Sequence, residues 1–293
     1  MEARITWSGA VSMANFKDKK SFENEDFISV LPKESNGYLQ WVLCDGAGGS
    51  GVFCKEWAAY LGDHIPVNPG LIEQQSLTGW LKDVSGAFHD EVIAHKDLSD
   101  LVLQQKVYYT GSYSTLCACW IDRPGHEIFF CAVGDSCIFY FEAGADGYEL
   151  EYLTSINRQD HVDAPPDLLN WNEKTQQQLP LHSLALEREF VVVMASDSLA
   201  KWVLLNLFLM DFASVAGFFS EPFLASLQEA KYEQQKMNIR LGSGLKTVGE
   251  LIGFLKMASE NDEKFELAMI MLAGGDEMDV DDYSLLIMEG NVS

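Results

Sequence analysis

The stretch "WVLCDGAGGSG", residues 41–51, decides how the fold is read. Trp41 to Cys44 is an apolar run that stops at Asp45, and Gly46, Ala47, Gly48 and Gly49 follow with almost no side chains. Beyond them, in "VFCKEWAAYLGDHI", Phe53, Trp57 and Leu61 recur every four residues, the rhythm of a helix with one apolar face. A buried strand therefore ends on a carboxylate and reaches a helix through a loop of small residues. A plain turn accounts for Asp45-Gly46. The further glycines imply that something must approach the backbone closely.

Outward from this stretch, strands are predicted at 26–31, 38–44, 114–121, 127–133, 136–142, 148–153, 189–195 and 283–289. Several are apolar on both faces, so both faces are covered. Helices are predicted over 51–64, over 71–97, and through most of 199–274, where the glycine-rich "RLGSGLK" interrupts them and is a candidate to border a site. The order lacks the regular alternation of a doubly wound fold. It predicts an α+β architecture in which two antiparallel sheets pack face to face with helices outside, a four-layer αββα sandwich. With eight prolines, no repeat and no linker-like tract, the chain reads as one domain over residues 1–293, with a divergent helical segment at about 199–274.

The chain carries a net charge of -24. Such a surface repels nucleic acid and anionic membranes, while basic partners and divalent cations remain compatible with it. The apolar region "WVLLNLFLMDFASVAGFF" is broken by Asn206 and Asp211 and is not expected to span a membrane. The six cysteines form no CxxC pair and read as small core residues, and the amino terminus has no apolar signal core; a reduced, cytoplasmic protein is expected.

The acids share one placement. Glu25 and Asp26 open a strand, Asp45 and Asp135 end strands, Asp197 follows one, and Asp281 and Asp282 precede the last. Each is unremarkable alone, as a turn, a hairpin, a helix cap or an acidic loop. If these strand ends meet at one edge, the carboxylates repel and stay ionised together only around a cation. An all-oxygen set suits Mg²⁺ or Mn²⁺. The histidines at 64, 89, 95, 126, 161 and 182 offer no HxH or HExxH spacing.

In this order "NED", "DGAGG", "VGDS", "ASDSL" and "DDYSLLI" resemble the motifs of the metal-dependent serine/threonine protein phosphatases of type 2C, in a bacterial-like form, across residues 8 to 289. The resemblance implies the same αββα sandwich and two bound Mn²⁺ or Mg²⁺ ions. It implies metal ligation by Glu25, Asp45, the Gly46 carbonyl, Asp197 and Asp281, with Asp45 bridging and with Asp45, Asp197 and Asp281 carrying catalysis. Asp26 and Asp282 would order these ligands, and Asp135 would sit near an additional, weaker ion. The implied reaction is hydrolysis of a phosphomonoester, phosphoserine or phosphothreonine in a protein, by a water held between the two ions. A phosphoprotein, with a cognate kinase or its target, is the implied partner. His161, in a loosely matching segment, is given no catalytic role.

The chain departs from the family pattern in places. An arginine that grips phosphate in many members is here Ser21, leaving Lys19 and Lys20 either to bind phosphate or to be solvated. Ser198 stands for a glycine and Asp282 for an asparagine. Lys201 falls four residues after Asp197, where many members have an aspartate for a third ion. If Asp197 starts a helix, Lys201 lies one turn along the same face and its ammonium would occupy that ion's place; the alternative is that it points to solvent. Three readings stay open: an active phosphatase, a catalytically weak or inactive phosphatase-fold protein acting as a binding or regulatory module, and an acidic scaffold whose carboxylates are only solvated. Trp202, Phe208, Phe212, Phe218 and Phe219 are expected mostly in the core, a few on a docking surface.

Overall fold

Alternation along the strands builds the molecule. In the computed structural model, which describes residues 3–16, 24–47, 51–74, 77–155, 161–172 and 181–292, fourteen strands are present among the described residues. They are β1 (Ala3–Met13), β2 (Phe27–Ile28), β3 (Lys33–Ser35), β4 (Tyr38–Cys44), β5 (Gly46–Ala47), β6 (Tyr113–Ser114) and β7 (Leu116–Asp122). After them come β8 (Glu127–Val133), β9 (Cys137–Gly144), β10 (Gly147–Ser155), β11 (Leu169–Asn170), β12 (His182–Ala185), β13 (Phe190–Ala195) and β14 (Tyr283–Val292). One sheet runs β1-β14-β13-β9-β10 and the other β12-β8-β7-β4-β2, with β3 on β4; every pair is antiparallel.

The period of two assigns each side chain to a layer. Leu39, Trp41 and Leu43 of β4 and Cys117, Cys119 and Ile121 of β7 meet Phe190, Val192 and Met194 of β13 between the sheets. Their neighbours Val42, Cys44, Leu116, Ala118 and Trp120 face outward, onto α1 (Cys54–His64) and α3 (Leu77–Glu91). On the other side, Val191, Val193 and Ala195 of β13 meet the helical block. That block comprises α5 (Asp197–Met210), α6 (Phe212–Ala216), α7 (Glu221–Ser226), α8 (Ala230–Leu241), α9 (Val248–Ala258) and α10 (Asp262–Gly274); α2 (Gly70–Gln74) and α4 (Leu101–Gln105) lie earlier in the chain. The layers are thus αββα, as the sequence predicts.

The differences lie at edges and ends. The strand expected over 26–31 keeps only Phe27–Ile28 as ladder, and Val30 and Leu31 are exposed. It is an edge strand, and Pro32 just beyond cannot donate to a ladder. The helix expected over 71–97 divides into α2, α3 and a short 3₁₀ turn, Ile93–His95. β1 is not among the predicted strands; Ala3–Ser8 alternate in polarity and exposure, but the alternation fades from Gly9 on, and the pairing shifts register between Ile5 and Trp7. A three-stranded ribbon, β11-β6-β5, carries the residue after Asp45.

Candidate functional site

Six acidic side chains line one cleft of about 460 Å³ at the strand ends: Glu25, Asp45, Asp135, Asp197, Asp281 and Asp282. Gly46 and Thr115 complete its polar floor, and Pro166 and Leu168 stand at its side.

Each acid is set by its local chain. Asp45 is the first residue past β4; its N–H donates to Thr115 Oγ1 at 2.9 Å, and the Thr115 N–H donates back to the Asp45 carbonyl at 2.8 Å. Thr115 Oγ1 also shares a 2.8 Å hydrogen bond with Ser136 Oγ, next to Asp135. One threonine thereby clasps two of the acidic turns. Gly46 cannot carry a side chain, because a Cβ there would lie 2.6 Å from the Glu25 carbonyl oxygen. Gly134 turns the chain into Asp135 with φ near +100°, a backbone state that favours glycine.

Asp197 is the first residue of α5, where the helix dipole favours a carboxylate. Asp281 accepts from the Ser198 hydroxyl at 3.2 Å and, on its other oxygen, from the Asp282 N–H at 2.9 Å. Asp282 is buried, and its two oxygens accept from the N–H groups of Asn15 (2.8 Å) and Glu25 (3.2 Å). It thus ties the segment carrying Glu25 to the start of β14. Asp26 accepts from Ser284 Oγ at 2.6 Å, while its buried Oδ1 has no hydrogen-bond donor.

Burial pushes the Asp26 carboxyl up to about 7, against the Ser284 hydrogen bond and with help from Asp282. Asp281 rises to about 7 through burial and the charge of Asp197, and Asp135 to about 6 through the same two causes, partly offset by Lys201. Asp45 is pushed well above the carboxylate range by burial first, then by Asp26, Asp197, Asp135 and Asp281. Burial and mutual charge thus oppose ionisation of Asp26, Asp45, Asp135 and Asp281, an opposition that a bound cation would relieve.

Lys201 is the cation at hand. Its Nζ lies 3.4 Å from Asp197 Oδ2 and 3.6 Å from Asp163 Oδ1. Burial lowers its affinity for a proton, but Asp197, Asp135 and Asp163 together outweigh that and hold it above the usual lysine range. Asp163 in turn pairs with Lys231 at 3.7 Å and accepts a 2.5 Å bond from Tyr232.

Every named candidate among the described residues, Glu25, Asp26, Asp45, Gly46, Asp135, Asp197, Lys201, Asp281 and Asp282, is at or beside the cleft; Lys19, Lys20 and Ser21 lie outside the described residues. No three Asp, Glu, His or Cys among the described residues are drawn together tightly enough to grip one ion as they stand. Carboxylates without a cation repel. The donor set nevertheless fits a hard divalent ion. The acids lining the cleft bring only oxygen, a buried Asp26 oxygen lacks a donor, and the missing Cβ of Gly46 keeps the approach open.

One expectation is corrected. "RLGSGLK" does not border the cleft; Ser243 donates to the buried Glu277 from its N–H (2.9 Å) and its hydroxyl (2.5 Å), which fastens the loop to the helical block. Phe212 is exposed, while Trp202 and Phe208 are core. Thr115 and Asp163 were not legible as site residues, since one sits inside an apolar strand pattern and the other in a loop with no motif. His161 pairs with Glu229 at 2.8 Å on the surface.

No family model matches the chain, and neither does any curated protein sequence. Among solved structures the chain is similar to a bacterial serine phosphatase, with TM-score 0.51 and 12% identity over 98% of both chains. Two forms of a bacterial serine phosphatase bearing a single arginine substitution overlay equally well. One has TM-score 0.52 at 12% identity over 98% of both chains, the other 0.51 at 14% over 98% of this chain and 99% of that one. At such identity the likeness speaks for the fold alone. The chain has the type 2C phosphatase fold, two antiparallel sheets flanked by helices. Among the described residues no helix is long and apolar enough to cross a membrane.

Proposed function

We propose that this cleft hydrolyses phosphomonoesters, phosphoserine or phosphothreonine of a protein substrate, with two Mn²⁺ or Mg²⁺ ions as cofactors. The observation that carries the reading is the gathering of six acidic side chains from five chain segments around one open cleft, on a type 2C phosphatase fold. Ions bound there would lower the pKa of a water and offset charge on the phosphoryl oxygens. The protein's own part is to present ligands. Asp45, the Gly46 carbonyl, Glu25, Asp197 and Asp281 are assigned to hold the ions. Asp282 orients Glu25 through its N–H, Ser198 orients Asp281, and Thr115 fixes the Asp45 turn. Lys19 and Lys20 are assigned to the phosphate. The test is phosphate release from a phosphoserine/phosphothreonine peptide library with Mn²⁺, Mg²⁺ or chelator. Metal-dependent turnover that chelator abolishes is expected, and full activity after exhaustive metal removal would sink the reading.

A second reading has one observation in its favour. Lys201 already neutralises Asp197, so the outer part of the cleft has a built-in cation where an ion would otherwise bind. On this view the protein binds phosphoprotein partners with weak or no turnover. Lys201→Asp separates the two readings. A two-ion enzyme should gain a further Mn²⁺ site and change the Mn²⁺ dependence of its turnover. A binding module should show no turnover with either residue.

A further inference from the structure

Most helices of this protein bury one face and wet the other, but α10 is apolar on both. Its inner face, Phe265, Ala268, Met269 and Leu272, is buried in the core. Its outer face carries Leu267, Ile270 and Met271, exposed by 69, 39 and 52%. These three stand at i, i+3 and i+4, which makes one continuous stripe along the solvent side, continued by the exposed Gly274 one turn on. A surface helix ordinarily presents a polar outer face, so this stripe is out of place in water.

The charges around the stripe select what covers it. Glu263 lies one turn before Leu267 on the same face, Glu266 flanks it, and Asp276 follows the helix end; all are exposed. The one basic residue on α10, Lys264, pairs with Glu260. The stripe is thus rimmed by carboxylates on a chain that is already at -24. A second copy of the chain brings the same rim and the same net charge, and like charges across an interface are repelled. An anionic lipid surface or nucleic acid is disfavoured for the same reason. What fits is an apolar ridge flanked by lysine or arginine.

We propose that the outer face of α10 is a docking surface for a basic amphipathic helix of a partner protein. The partner's leucine-like residues would cover Leu267, Ile270 and Met271, and its cations would face Glu263, Glu266 and Asp276. From Gly274 the chain runs on through the buried Glu277 to Asp281 and Asp282, two acids of the cleft. The docking face stands on its own observations and does not depend on turnover in the cleft.

A designed helical peptide of about 18 residues tests this, with leucines at i, i+3, i+4 and i+7 and lysines on its remaining positions. Its binding to the full chain is read by fluorescence anisotropy, beside a control of equal charge in which glutamine replaces every leucine. The leucine-lysine peptide should bind at least about tenfold tighter than the control. The double variant Leu267→Glu, Met271→Glu should weaken it by at least about tenfold, although the variant is more acidic. Attraction by charge alone predicts the opposite, unchanged or tighter binding, and would overturn the proposal. Circular dichroism checks that the variant is folded. Glu263→Lys, Glu266→Lys gives an independent reading, since it should shift preference toward a leucine-glutamate peptide. A dimer of the unmodified protein in sedimentation, lost on Leu267→Glu, would assign the face to a second copy and equally overturn the proposal.

Discussion

Asp45 concentrates the site's chemistry in one residue. It follows a strand buried at six of its seven positions, its neighbour Gly46 has no room for a Cβ, and burial and four other acids oppose its charge. Asp45→Asn should therefore lose most of the proposed metal-dependent phosphatase activity while the protein stays folded. In chelator the same change should stabilise. Asp26, Asp281 and Asp135 are raised to about 7, 7 and 6, and Asp45 is raised too. Their folded-state contribution is full below the unfolded carboxylate pKa and is lost as pH rises through these folded values. Metal-free wild type should thus lose Tm between about pH 5 and pH 8, and Asp45→Asn should lose less, so that the variant melts higher at pH 8 and the gap closes at pH 5. A gap independent of pH would show that the Asp45 charge is not opposed by its neighbours. The sequence makes Asp45 legible, because a carboxylate followed by small residues at a strand end is a pattern along the chain. Asp163 is not, since its role depends on Lys201 and Tyr232, which are distant in sequence.

The element that holds the second half of the site is the segment from α10 into β14. Its anchor is Glu277, buried and accepting from Trp202 Nε1 at 3.4 Å as well as from Ser243. Tyr283 adds a second tie, donating to the Asp279 carbonyl at 2.8 Å and accepting from the Asp281 N–H at 3.2 Å. Glu277→Ala strands a buried indole N–H and a backbone N–H, and should cost about 3 kcal/mol in urea denaturation. Glu277→Gln should recover part of that loss, and a wild-type midpoint for Glu277→Ala would contradict the anchoring role. At this scale the central strands were legible, since β4 and β8 coincide with their predicted ranges. Apolar runs covered on both faces leave little freedom. The edge strands β1 and β12 were not: β12 is short and mostly exposed, and β1 alternates only over Ala3–Ser8 before the small residues Gly9 and Ala10 blur the pattern.

Across the whole molecule the two sheets act as a frame that brings distant turns to one edge. β4, β8, β13 and β14 all end or begin there, which is why acids from residue 25 to residue 282 share one cleft. The order of the acids was readable in the chain; their convergence depends on strand order and direction, which no local pattern states. The helical block covers the opposite face of the β1–β10 sheet, contributes Lys201 to the cleft and keeps an apolar face of its own. The central claim is that the cleft is a two-ion site built around Asp45 and Asp197. Its most direct test is calorimetric titration of Mn²⁺ into metal-free protein at neutral pH, beside Asp45→Asn and Asp197→Asn. Two ions per wild-type chain, with binding lost or sharply weakened in both variants, is the predicted result; no stoichiometric binding, or binding unchanged in both variants, would contradict it.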